Sequence, residues 1–247
     1  MHRGLPSRHL TFIVSLGEPV HIAAMPDPRH PEVRSAAFVS GLHDAPATIV
    51  HDGNQHGVSL KLTPLGARAL LGVPARELAG RVVGLDDLLG STAERLRDRL
   101  ASAPTWAARF AVLDDVLCDA ANRAHSPLPR PEVTEAWRRL VNAGGNVEVG
   151  SLASDLGWSR RHLGEHFLDE IGLSPKAAAK VVRFERSCHL IRQPAPRPLA
   201  QVAALAGYYD QAHLNRDWRQ MAGCTPTVWR AEELPSVQAP EADPGAC

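Results

Sequence analysis

Lysine is almost missing from this chain. Of 27 basic residues among 247, 24 are arginine, and only Lys61, Lys176 and Lys180 are lysine. Arginine forks suit carboxylate, phosphate and guanine, but the codon bias of a GC-rich genome is the simpler main cause of the excess. Net charge is missing too, since 27 acidic residues balance the 27 basic ones. At face value that balance speaks against a simple polyanion binder. Cysteine is sparse: Cys118, Cys188, Cys224 and Cys247 stand far apart, with no CxxC pair. That spacing excludes a clustered zinc site and a disulfide framework, and it fits a reducing cytoplasm. No run approaches the roughly 18 apolar residues that cross a membrane. The short apolar run from Leu10 to Leu16 is broken by Thr11 and Ser15. No small-residue cleavage site follows it closely, so it reads as a strand rather than a signal peptide. The enzyme motifs G-x-S-x-G, G-x-x-x-x-G-K-[ST] and strand-borne G-x-G-x-x-G are all absent.

What is present divides in two. Apolar residues make up 44% of the chain and charged ones 22%, ordinary values for a protein with a real core. Thr11–Leu16, Val20–Ala24, Ala36–Ser40, Ala47–Val50 and Val58–Leu62 are short runs rich in Val, Ile, Thr and Phe, separated by turn formers, and they predict strands. The Asp52-Gly53 pair between the last two predicts a hairpin. From Pro64 the period changes to helical, with Gly72 as a C-cap. Ser91 and Glu94 spell a capping box. Leu96, Leu100, Phe110, Leu113 and Leu117 then form amphipathic stripes that could pack on their own sheet or form a dimer seam. Packing on the sheet is favoured. A sheet followed by helices is an α+β pattern. Three prolines in the eight residues from Ala124 to Pro131 place the domain boundary, and everything beyond is helical to about Glu233. The remainder, 234–247, reads as a disordered acidic tail.

The second half contains an internal repeat. Leu152-Ala153 precedes Gly157-Trp158 and the pair Leu163/Phe167, and Val202-Ala203 precedes Gly207-Tyr208 and the pair Leu214/Trp218. The second turn is one residue longer. In both copies the alanine lets a second helix approach, the glycine supplies a left-handed end to the first helix, and the aromatic seals the base. Ser159 and Asp210 are suited to cap the second helices. Ala153, Leu156, Trp158, Leu163, Phe167, Ala203, Leu214 and Trp218 are assigned to the core. This leaves Arg160, Arg161, Gly164 and Glu165 on one outer face and Gln211, Ala212, His213, Asn215 and Arg216 on the other. Faces of that composition suit the DNA major groove, and paired units would place two reading helices about one DNA turn apart.

Residues from about 132 to 230 resemble the DNA-binding domain of the AraC/XylS family of bacterial transcription regulators. Beyond the repeat, the resemblance rests on Phe167-x4-Gly172-Leu173-Ser174-Pro175, Arg183-x2-Arg186-x3-Leu190-Ile191, Gly207-Tyr208-Tyr209-Asp210-Gln211-Ala212-His213-Leu214 and Gly223-Cys224-Thr225-Pro226-x2-Trp229-Arg230. The first 130 residues resemble sensor domains joined to this module in actinobacterial members. The resemblance implies residues 1–130 as a cupin-like effector or dimerisation domain, 131–233 as a seven-helix double helix-turn-helix domain, and 234–247 as tail. It implies promoter DNA as partner, with RNA polymerase, a small-molecule effector and a second copy of the chain as further partners, and a cytoplasmic location. It also implies base reading by Arg161, Gly164 and Glu165 in the first unit and by Gln211, His213, Asn215 and Arg216 in the second.

The first unit departs from that pattern. Gly164 has no side chain to hydrogen-bond a base, and Glu165 can accept only from cytosine N4 and repels phosphate. Arg160 and Arg161 should carry its reading. Arg183 and Arg186 could hold phosphate or make bonds within the protein.

No enzyme activity, metal or cofactor is expected. His21, His43, His51 and His56 lack the close H-x-H spacing of a cupin metal site and read as surface and hairpin histidines. Cys118, mid-helix in an apolar stretch, reads as a buried inert thiol. The competing reading is a cupin-like enzyme or small-molecule binder whose helices are an interaction module. Locally the charge objection dissolves: residues 151–230 carry +4 and residues 231–247 carry −4.

Overall fold

A computed structural model describes residues 1–123 and 128–237. Eight strands fall in the first third: β1 (His2–Gly4), β2 (Leu10–Ser15), β3 (Val20–Ala24), β4 (Val33–Ser35), β5 (Ala37–Ser40), β6 (Ala47–Val50), β7 (Gly57–Leu62) and, after two helices, β8 (Val82–Gly84). They build two antiparallel four-stranded sheets, ordered β1-β6-β3-β4 and β7-β2-β5-β8. The small sheet of the sequence reading is therefore a pair of sheets. The alternation of β2 explains the layering. Leu10, Phe12 and Val14 are fully buried toward the helices, while Ile13 packs on the opposite side with Val20, Ile22, Met25 and Phe38 between the sheets.

The Asp52-Gly53 turn is not a hairpin. β6 pairs with β1 and β3, and β7 pairs with β2, so residues 51–56 carry the chain from one sheet to the other. The turn chemistry is present all the same. Gly53 has φ 106°, its N–H donates to His51 Nδ1, and the Asn54 N–H donates to Asp52 Oδ1. A local turn signal fixes the reversal but not which strands pair afterwards.

Helices α1 (Pro64–Leu71), α2 (Ala75–Leu78), α3 (Leu85–Leu89), α4 (Ser91–Ser102) and α5 (Trp106–Arg123) cover the second sheet. Thr63 Oγ1 caps α1 from outside, and Gly72 ends it at φ 74°. The capping box at Ser91 does not form. Gly90 is the N-cap, so Ser91 is already helical, and its hydroxyl accepts from Arg95 Nη1 at 3.2 Å instead. Leu96, Leu100 and Leu113 are buried against the sheet, whereas Phe110 is 53% exposed. The same helical period turns Cys118 outward, away from the face of Leu113, Val116 and Ala120, so the thiol expected to be buried is exposed. His43 is likewise no surface histidine: its ring is partly buried and hydrogen-bonded at Nδ1 to the Ala45 carbonyl at 2.6 Å.

Seven helices follow: α6 (Pro131–Asn142), α7 (Val149–Asp155), α8 (Arg160–Ile171), α9 (Pro175–Arg192), α10 (Leu199–Ala206), α11 (Gln211–Ala222) and α12 (Pro226–Val237). The helical backbone runs three residues past Leu234, where the tail was expected to begin, and the rest of that segment, 238–247, lies outside the described residues. The middle of the proline-rich boundary, 124–127, lies outside them as well. α9 is the spine. Ala178, Ala179 and Val182 on one side join a core shared with the sheet and with α6 to α8, while Val181, Phe184, Cys188 and Ile191 on the other join the core of α10 to α12.

Candidate nucleic-acid interface

The two halves of the repeat fold the same way. In the first unit Gly157 sits at φ 72°, and the Trp158 N–H donates to the Ala153 carbonyl at 2.9 Å. In the second, Gly207 sits at φ 88°, and the Tyr208 N–H donates to the Ala203 carbonyl, again at 2.9 Å. One backbone bond, from the aromatic back over the glycine to the small residue, closes both turns. The side chains at Ala153 and Ala203 are buried, as the close helix crossing requires.

The extra residue of the second turn is Tyr209, 94% exposed, while its neighbour Tyr208 is buried in the place Trp158 takes in the first unit. The extra residue could be counted in the sequence, but nothing there marked Tyr209 as the one turned outward. Burial and the nearby Asp217 carboxylate push the Tyr208 phenol well above its ordinary range.

Both second helices are capped from their first turn. Ser159 Oγ accepts from the His162 N–H at 3.1 Å, and Asp210 Oδ1 accepts from the His213 N–H at 2.6 Å. These two side chains are thus engaged in holding the helix N-termini. On α8, Arg160, Arg161 and Glu165 are exposed and Gly164 lies beside them on a half-buried flank. Arg161 Nε donates to Glu165 Oε1 at 2.8 Å, a pair one helical turn apart. On α11, Gln211, Ala212 and Arg216 are exposed.

His213 and Asn215 sit lower on the flanks of α11. The His213 ring meets Tyr208 edge-on at 5.1 Å, and its Nε2 is 3.8 Å from Asp217 Oδ2. Asn215 Oδ1 is buried without a partner among the described residues.

Bonds to the spine hold α11 in place. Trp218 Nε1 donates to Ser187 Oγ at 2.8 Å, and that hydroxyl donates to the Phe184 carbonyl at 2.7 Å. Lys180 Nζ lies 3.5 Å from the buried Asp217 carboxylate. Arg183 makes its contacts within the protein: Nη1 donates to the Gly145 carbonyl at 2.7 Å, and its guanidinium lies 5.8 Å from the centre of the Tyr208 ring. Arg186 remains exposed, its guanidinium beside Gly144.

Residues 152–232 match the helix-turn-helix domain family. This segment is an AraC-type double helix-turn-helix domain. No curated protein matches the chain. Among solved structures, ToxT from Vibrio cholerae shares the whole architecture at 11% identity, covering 96% of this chain and 93% of its own with a TM-score of 0.55. That likeness extends the common fold through the N-terminal sheets as well as the AraC-type domain. Shorter structures align with less than half of the chain. One is an AraC-type transcriptional regulator from Chromobacterium violaceum, at 24% identity over 44% of this chain and 95% of its own, TM-score 0.39. Another is the C-terminal domain of AraT from Geobacillus stearothermophilus, at 20% identity over 42% and 86%, TM-score 0.39. No described helix is long and apolar enough to cross a membrane.

Proposed function

We propose that this chain is a sequence-specific DNA-binding transcription regulator, controlled by its N-terminal half. The observation that carries the reading is the matched pair of capped helices, α8 and α11. Each stands on the same aromatic-sealed turn and presents an arginine-bearing polar face outward. In the reading, Arg160, Arg161, Gly164 and Glu165 face one major-groove segment and Gln211, His213, Asn215 and Arg216 the next, with Ser159 and Asp210 fixing the helix ends. The domain limits that go with it are 1–130 for control and 131–233 for DNA. The local charge of +4 over residues 151–230 supports phosphate anchoring.

The control half contains a cavity of about 750 Å³ reaching from Ile13 and Val20 to Arg34, His51 and His56. ToxT has been solved with an unsaturated fatty acid and with (E)-4-(8-methylnaphthalen-1-yl)but-3-enoic acid. These support a small-molecule effector here, and the cavity is its assigned place. RNA polymerase at the promoter and a second copy of the chain complete the set of partners, in the cytoplasm. The chain has no catalytic role in this reading.

The test is a titration of the full chain with its own promoter fragment across salt concentrations. Binding that weakens steeply as salt rises, and that outcompetes unrelated DNA, is the expected result. Absence of binding at low salt would leave the helical half as an interaction module and overturn the reading.

A further inference from the structure

We infer that Glu165 is a positioning residue that aims Arg161 at a guanine, rather than a reader of bases itself. The inference rests on the DNA-binding reading above and assigns chemistry within it.

The geometry is specific. Glu165 Oε1 accepts the Nε–H of Arg161 at 2.8 Å, so the carboxylate holds the inner edge of the guanidinium. The two terminal amino groups of Arg161 meet no other partner among the described residues, and the side chain is 89% exposed. A guanidinium gripped at Nε presents Nη1 and Nη2 end-on, as a fork of two parallel donors. In the major groove, two adjacent acceptors on one base are the O6 and N7 of guanine. Adenine offers one acceptor and one donor there, so the held fork discriminates between the purines. Arginine alone loses much side-chain freedom on binding, and a partner one turn along the helix removes part of that loss in advance.

The neighbouring position agrees. Gly164, one turn on from Arg161, flanks the arginine on the side away from Glu165, and a β-carbon built there would meet nothing within 4 Å. The protein itself therefore does not need glycine at this place. Mid-helix glycine costs stability relative to alanine, yet here it leaves an open notch beside the arginine fork, where a base edge can approach the helix. In the sequence, Glu165 reads as a direct acceptor for cytosine and as a charge that repels phosphate. The ion pair gives it a different task.

The experiment starts from a randomised duplex library selected on the wild-type full-length chain. Enrichment of a site establishes DNA binding independently; if no duplex is enriched, the DNA-binding reading fails first and this inference fails with it. On the selected duplex, each guanine is replaced in turn by 7-deazaguanine or by adenine, and affinity is read by anisotropy for wild type, Glu165→Gln, Glu165→Ala and Gly164→Ala. The wild type should discriminate about tenfold at one guanine. Glu165→Gln keeps an oxygen acceptor for Nε and should retain most of that preference, while Glu165→Ala should lose it. Gly164→Ala should melt at a higher temperature yet bind the selected duplex more weakly. Two results would overturn the inference. One is equal tightening by both Glu165 variants with the guanine preference intact, which makes Glu165 only a repelling charge. The other is loss of preference at a cytosine with the guanine untouched, which makes it a direct reader.

Discussion

A β-carbon on Gly172 would lie 2.8 Å from the carbonyl oxygen of Ala75. The first residue ends α8, a helix of the DNA-binding half, and the second begins α2, in the N-terminal half. Main chain from the two halves thus meets with no room for a methyl group. The contact is reinforced beside it, where Arg76 Nη1 lies 2.6 Å from Asp169 Oδ1. Beneath it runs a single apolar core that extends from Leu10 on the sheet to Leu163, Phe167 and Val182. The helices packed against the second unit are tied separately. Arg3 reaches Glu232 and Glu233 on α12, and Ser7 Oγ donates to Glu185 on α9. The first helix-turn-helix unit thus touches the N-terminal half directly, and the second is joined to it through α9 and α12, which pack on α11, so a change in that half has a physical route to either α8 or α11.

Gly172→Ala tests the first junction. The residue has φ 89°, a conformation that costs a non-glycine residue about 1–2 kcal/mol, and the clash with Ala75 adds to it. The variant should lose on the order of 2–3 kcal/mol of stability, seen as a lowered melting temperature. Because the core is shared, both halves should melt in one transition. A drop in the helical half alone, with the sheets melting as in wild type, would show that the halves are energetically separate.

Arg130 makes a second junction testable. Its N–H and Nη1 both donate to the Glu170 carboxylate at 2.9 Å, and Glu170 is almost fully buried. Removing the partner of a buried carboxylate is costly, but the Arg130 side chain is half exposed and the backbone bond persists, so the cost is discounted. Arg130→Ala should lose about 1–2 kcal/mol in denaturant unfolding. Glu170→Gln combined with Arg130→Ala should recover part of that loss, since a neutral amide is cheaper to leave in place.

Ser187→Ala probes how α11 is held on the spine. The hydroxyl is buried, accepts from the Trp218 indole and donates to the Phe184 carbonyl. Its loss leaves the indole N–H buried and unpaired, at a cost of about 1–3 kcal/mol. Stability by chemical denaturation is the measurement. A loss below about 0.5 kcal/mol, the range of neutral surface changes, would mean the indole finds another acceptor.

Much of this architecture was legible because short-range signals and tertiary packing agree. The five predicted strands appear within one residue of their limits, since each carries enough β-branched and apolar side chains to mark its buried face. β1, β4 and β8 were missed: each is three residues long, and His-Arg-Gly or Val-Arg-Ser has no alternation to read, so pairing alone makes them strands. The Asp52-Gly53 reversal was visible, but strand pairing across sheets is a long-range property. At the interface, the glycine turns and caps were legible because Gly157, Gly207, Ser159 and Asp210 each have a local backbone reason. The inward set of His213 was not, because it depends on Tyr208 and Asp217 packing beside it.

Acid should destabilise the fold below about pH 6.5. Burial lowers the His43 imidazole from its ordinary 6.5, and burial likewise lowers His9 and His2, the first against the opposing pull of Glu185 and the second with help from His51. In each case the unfolded chain binds a proton more readily than the folded one. Stability contributed by these groups is therefore full above 6.5 and falls as the pH drops through that value. The melting temperature should decline between about pH 7 and about pH 5, and His43→Asn, which keeps an N–H near the place of Nδ1, should flatten part of the decline. A melting temperature that holds level or rises on acidification would contradict the assignment.

Arg161→Ala separates reading from anchoring. The Arg161 side chain is the more exposed of the ion pair on α8, 89% against 57% for Glu165, and it touches nothing that stabilises the core. The melting temperature should therefore stay within the small range of surface substitutions. Affinity for a selected duplex should fall by about 1–3 kcal/mol, with preference relaxed at one base pair and unchanged elsewhere. A phosphate contact behaves differently: its loss weakens binding to every sequence alike and makes the salt dependence shallower by about one unit of slope. Arg160, its neighbour on the same exposed first turn, supplies the control. Should Arg161→Ala give the uniform, salt-linked loss and leave all base preferences intact, the arginine anchors the backbone, and the reading of the first unit must lie elsewhere on α8.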